Sequence, residues 1–206
     1  MTEECNHIQM FQELVNRGGG DVPGMRPLFR RISPLAGYLA GYFHAAMFIG
    51  ILGGEEPIDH YQKALLREGE NIPSALHQSM AIHIAEEARH ISFAHEYLRA
   101  HLAVSGRATR ILCGVAFPVI MRWLADEIMS PSRSFAKELG IPEHVRREAF
   151  WDSPTSRTML SNYFGEMRSL AAELGLMNRI TKRLWRAFHV DGRYARYRGE
   201  PNRASA

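Results

Sequence analysis

Alternating runs of β-branched residues, the mark of half-buried strands, are missing from this 206-residue sequence, and apolar residues recur instead at three- and four-residue spacing. That absence excludes sheet-built classes and leaves an all-helical reading. Cysteine is scarce as well. Cys5 and Cys113 stand far apart in helical surroundings, unlike the framework of a small secreted domain, so a reducing compartment is the default. No basic N-terminal region leads into an apolar core with a small-residue cleavage site, and the expected location is cytoplasmic. A long clean apolar run is also lacking. The nearest, Leu35 to Gly54, carries His44 and five glycines and ends on two glutamates, which reads as a buried helix rather than a membrane span.

What is present is an ordinary globular composition, 46% hydrophobic and 23% charged, enough for one sizeable core and most economically a single domain over residues 1–206. The net charge is +3, but basic residues gather late. Arg179 to Arg203 holds eight Lys or Arg against Asp191 and Glu200. Residues 190–206 read as a solvated basic tail, and without a docking motif nucleic acid is not the expected partner.

Gly and Pro divide the helical pattern. A first helix runs to about Val15 and stops at Gly18-Gly19-Gly20. A long second helix starts between Pro27 and Pro34 and carries Leu35, Leu39, Phe43, Met47 and Leu52 towards Glu55-Glu56. Gly53, Gly54 and Pro57 predict a kink there, ahead of Ile58 to Leu66. A third helix runs from Pro73 to about Leu102 and a fourth from Thr109 to Met129, bent at Pro118. Shorter helices are expected over Ser132–Leu139, Pro142–Trp151, Thr155–Leu174 and Met177–Phe188. This is the pattern of a four-helix-bundle core with additional C-terminal helices.

The chemistry lies in HIAEEARH, residues 83–90. At about 100° per residue His83, Glu87 and His90 share one face, on a stripe that Leu76, Met80 and Ala94 otherwise make apolar. Burying an unpaired carboxylate costs several kcal/mol, and a bound cation is one of the few partners that satisfies Glu87 and both imidazoles together. The competing reading is a surface run of helical ion pairs. Glu86 and Arg89 flank this face as supporting groups or a helical charge pair. The first helix repeats the arithmetic, with Glu4 and His7 three apart above Ile8 and Phe11. Paired Glu-x-x-His helices joined by lone glutamates are the donor pattern of di-iron carboxylate bundles, and such donors suit iron or manganese better than structural zinc. The lone carboxylate is expected at Glu56, which follows Phe48 and Leu52 at four-residue steps, with Glu55 turned about 100° away. Asp59 and Gln62 are either supporting groups or surface residues.

The segment HIAEEARHISFAHEYL resembles the second metal helix of the AurF-like (p-aminobenzoate N-oxygenase) di-iron oxygenases, a family of the ferritin-like superfamily that adds a histidine four residues before the Glu of Glu-x-x-His. His83 fits that added ligand, and Glu87 and His90 the usual pair. EECNHIQMFQELVNR is similar to the family's first Glu-x-x-His helix, carrying Glu4 and His7, and GEEPIDHYQ to its lone-carboxylate segment, carried onto Glu56. The resemblance implies a ferritin-like fold and a six-residue metal set of Glu4, His7, Glu56, His83, Glu87 and His90. It also implies two Fe ions, O2, an arylamine or related amine as substrate, and an external electron donor. The family pattern further requires a carboxylate on a helix before the first Glu-x-x-His. This sequence begins three residues before Glu4, as expected of a member shortened at its N-terminus. Two other functions stay open: a non-catalytic helical scaffold, and a di-iron protein with hydroxylase, desaturase or peroxidase chemistry. A homodimer is compatible with the sequence without being demanded by it.

Overall fold

The computed structural model describes residues 2–18, 24–69 and 71–200. Within them the protein is a bundle of α-helices without strands: α1 (Thr2–Arg17), α2 (Pro27–Ala40), α3 (His44–Glu68), α4 (Ser74–Ala103) and α5 (Arg107–Met129), followed by shorter helices α6 (Arg133–Glu138), α7 (Glu143–Arg147), α8 (Pro154–Asn162), α9 (Gly165–Glu173) and α10 (Arg179–Ala187). The third to fifth helices are the spine. α3 lies between α4 and α5, α1 packs on α4, and α10 packs on α5. Ile49 and Leu52 of α3, Leu98 and Leu102 of α4, and Phe117 and Met121 of α5 meet in one core that also takes in Met167 and Leu170 of α9 and Trp185 of α10.

Two boundaries differ from the sequence reading. The expected long second helix is two helices, broken at Gly41-Tyr42-Phe43, and α3 then runs uninterrupted through Gly53, Gly54 and Pro57. Gly53 has a packing reason instead: a Cβ there would sit 2.6 Å from Cε of Met121, so the bare backbone lets α3 approach α5 closely. α2, once separated, buries none of its residues and leaves Leu28, Leu35 and Tyr38 exposed. The expected Thr155–Leu174 helix is likewise two, α8 and α9, parted at Tyr163-Phe164, and α7 ends in a π-helical turn at Glu148–Asp152.

The basic C-terminal segment, though largely exposed, is tied to the bundle over its described residues. Arg168, 1% exposed, donates to the carbonyls of Ser161 (2.7 Å), Val190 (2.8 Å) and Arg193 (2.9 Å). Arg193 and Arg196 pair with buried Glu200, while Arg198 crosses to α4 and donates to Ser92 Oγ and the Ala88 carbonyl. Residues 201–206 of the expected tail lie outside the described residues.

Candidate metal centre

Helices α1, α3 and α4 deliver the site. His83, Glu87 and His90 do share one face of α4, with His83 and Glu87 buried and His90 partly so. α1 lays Glu4 and His7 against that face. Two groups result whose donor atoms lie within 4.8 Å of one another: His7, His83 and Glu87, and Glu4, Glu87 and His90. Glu87, with no solvent exposure, belongs to both. Its two oxygens divide the work. Oε1 faces His7 Nδ1 at 3.0 Å and His83 Nε2 at 3.9 Å, and Oε2 faces His90 Nδ1 at 3.1 Å.

Each imidazole is oriented from behind. His7 Nε2–H donates to Glu86 at 2.6 Å, His83 Nδ1–H donates to Gln62 Oε1 at 2.9 Å, and His90 Nε2–H donates to Glu3 at 2.9 Å. Glu3 is itself held by Arg89 at 2.6 Å. These contacts turn Nδ1 of His7, Nε2 of His83 and Nδ1 of His90 inward, as metal-ligating histidines are set by their second hydrogen bond. Glu86 and Gln62 thus contact these rings directly and Arg89 reaches His90 through Glu3, while Asp59 pairs with Lys63. Phe11 covers His83 edge-on with ring centroids 5.1 Å apart.

The electrostatics follow from burial and from the charges these groups place on one another. Burial, then the Glu4 charge, raises the Glu87 carboxyl above its ordinary range. Burial and then His7 lower His83, which favours the neutral ligand form. Burial alone would lower His90, but Glu87, Glu3 and Glu4 together raise it. His7 Nδ1 and Glu87 Oε1 are buried without hydrogen-bond partners. Orphaned atoms of this kind, an imidazole nitrogen and a carboxylate oxygen, are what a divalent metal would satisfy, and the N/O donors suit iron or manganese.

The structure does not bring Glu56 into this group. Glu56 is buried as the four-residue steps imply, but it faces the other way, against His95 and Glu166. Glu55, one residue and about 100° away, feels the charges of the metal face. Burial first, then Glu87 and Glu4, push its carboxyl up to about 7. A buried helix face can look inward in more than one direction, and periodicity does not say which direction holds the partners. Glu3, the backstop of His90, was not singled out by the sequence; its place one turn before His7, beside the ligand-like Glu4, was the available signal.

A family model described as P-aminobenzoate N-oxygenase AurF matches residues 1–175. The chain belongs to this family. AurF membership implies the ferritin-like superfamily and agrees with the all-helical bundle. The chain is also 50% identical over 201 residues to uncharacterized proteins Rv0885 and MT0908 of Mycobacterium tuberculosis and Mb0909 of Mycobacterium bovis, covering 98% of this chain. It spans 59% of the length of those relatives. No solved structure matches. Among the described residues, no helix is long and apolar enough to cross a membrane.

Proposed function

We propose that these residues form the di-iron centre of an oxygenase that N-oxygenates an arylamine or related amine, fed by an external electron donor. The observation that carries the reading is Glu87, whose two oxygens face separate imidazole groups as a bridging carboxylate would. In this proposal Glu4, His7, Glu55, His83, Glu87 and His90 hold the metals, with Glu55 in the place the sequence reading gave to Glu56. Two iron ions held there would supply O2 activation and the oxidising equivalents.

The chain's own groups prepare that chemistry. Glu86, Gln62 and Glu3 fix the rings and make the inward nitrogens better donors. His90 has carboxylates at both nitrogens, so the metal-free ring holds a proton at Nδ1 that ligation displaces. Phe11 and the buried face of α4 keep water from His83 and Glu87.

The reading is tested in two stages. The chain expressed in iron-rich medium should carry Fe or Mn, and His83→Ala with Glu87→Ala should remove the ions of this centre, lowering the content per chain; equal metal in both forms rejects the centre. Chemically reduced iron protein is then mixed with O2 and a panel of aminobenzoates under single-turnover conditions. Hydroxylamine or nitro products by mass spectrometry support N-oxygenation. Ring-hydroxylated or unchanged amine, with iron bound, rejects it.

A further inference from the structure

A second set of chemistry-bearing side chains lies on a different face of α3, about 100° round from Glu55. Glu56 of α3 contacts Nε2 of His95 on α4, and Glu166 of α9 brings its own carboxylate up to them. The donor atoms of these three residues lie within 4.8 Å of one another. His60, one helical turn beyond Glu56, stands behind Glu166 with its Nε2 3.2 Å from Oε1. The backbone N–H of Gly199 donates to the same oxygen at 2.6 Å. All four side chains are at least nine-tenths buried.

The group is not a closed pair of salt bridges. Glu56 Oε2 and His95 Nδ1 are both buried without a hydrogen-bond partner. The nearby cations are engaged elsewhere: Lys63 with Asp59 at 2.6 Å, and Arg198 with Ser92 and the Ala88 carbonyl. Glu56, Asp59, His60 and Glu166 line a cavity of about 220 Å³, large enough to admit a hydrated ion. Glu56 also bears an orphaned oxygen, so the cavity and a buried carboxylate short of partners occur at one place.

We propose that Glu56, His95 and Glu166 bind a third divalent transition-metal ion, separate from the paired centre, with His60 and the Gly199 N–H orienting Glu166. One imidazole and two carboxylates make a mixed N/O donor set suited to Mn2+, Fe2+ or Zn2+ rather than to a soft monovalent ion. The geometry keeps the ion apart from the other two. His95 lies five residues beyond His90, roughly 8 Å further along α4, and Glu56 and Glu55 diverge around α3. The ion would replace the direct contact between Glu56 and His95 and neutralise the two glutamates that the imidazoles now face.

The inference does not rest on the paired centre being di-iron, and the test separates the two. Untagged, metal-stripped chain is titrated with Mn2+, and bound ions are counted by elemental analysis and by loss of the free Mn2+ EPR signal. Three ions per chain are expected. His7→Ala with Glu87→Ala should retain one, and His95→Gln with Glu166→Gln should retain two, the second variant thereby reporting its own folding. In His95→Cys, Cd2+ should give a thiolate-to-metal charge-transfer band that Glu166→Gln weakens at least tenfold in affinity. A wild type that binds no more ions than His95→Gln with Glu166→Gln overturns the proposal. So does a third ion that disappears with His7 and Glu87, or a helical His95→Cys chain without the cadmium band.

Discussion

His7 of α1 donates to Glu86 of α4 at 2.6 Å, and the arrangement is answered in reverse by His90 of α4, which donates to Glu3 of α1 at 2.9 Å. Each helix therefore supplies an imidazole whose outer nitrogen is held by the acidic neighbour of the other helix's ligand glutamate. The crossing fixes the tautomer of both rings and the register of α1 on α4 at once, which a single contact would not do.

This crossed pair predicts that Glu86→Gln and Glu3→Gln each weaken paired-site metal binding by about 10- to 100-fold, the usual cost of losing a partner behind a ligand histidine. Competition against a chelator measures it. Arg17→Gln, which removes an exposed pair with Glu13 on the same helix, is the control expected to leave affinity unchanged.

The two adjacent glutamates of α3 should behave differently. Glu55→Ala is expected to lower metal content at the paired centre, whereas Glu56→Ala should leave two ions bound there. Elemental analysis of both variants decides it, and a Glu56→Ala chain that keeps fewer than two ions while Glu55→Ala loses none would restore the assignment made from the sequence.

In the metal-free chain the Glu55 carboxyl is pushed up to about 7, by burial first and then by Glu87 and Glu4. The folded form thus holds its proton where the unfolded chain, near the ordinary value of about 4.3, has released it. Stability contributed by this group is complete below the unfolded value and is lost as pH rises towards 7. Glu55→Gln should therefore raise the melting temperature of the metal-free chain at pH 8 and leave it unchanged at pH 4. Thermal melts at the two values check the sign.

Arg168 is buried among carbonyls, and burial lowers its guanidinium to about 10. Replacing it with Met leaves the carbonyls of Ser161, Val190 and Arg193 without their donor. The expected loss is about 3 kcal/mol, from buried polar groups left unmade. Denaturant unfolding measures it, and the segment following α10 should become the earliest site of proteolysis.

The all-helical class, the extents of α4 and α5, and the clustering of Glu4, His7, His83, Glu87 and His90 were legible because period and spacing are local properties of the chain. His83, Glu87 and His90 sit within about two turns of one helix, so their common face needs no tertiary knowledge. The choice between Glu55 and Glu56 did need it, since both project from a buried helix and only the positions of α1, α4 and α9 distinguish their surroundings. The break at Gly41 and the continuity through Pro57 inverted the expectation for a related reason. Gly53 serves contact with Met121, and a glycine that permits close packing looks the same in sequence as one that ends a helix. The Glu56, His95 and Glu166 group joins α3, α4 and α9 across more than a hundred residues, which no spacing rule spans.

Among its described residues α1 buries His7 alone, and Ile8 on the same helix is 71% exposed. So little apolar burial leaves this helix attached chiefly through its acids and its one imidazole, and Glu4 meets the like charges of Glu87 and Glu55 there. On the proposed reading a cation would turn that repulsion into a latch. Loading the centre and closing α1 onto the bundle are then one event, and slow amide exchange along α1 would mark chains that carry metal. Empty chains would expose the helix to proteases first, giving the cell a means to discard the protein before it meets oxygen half-assembled.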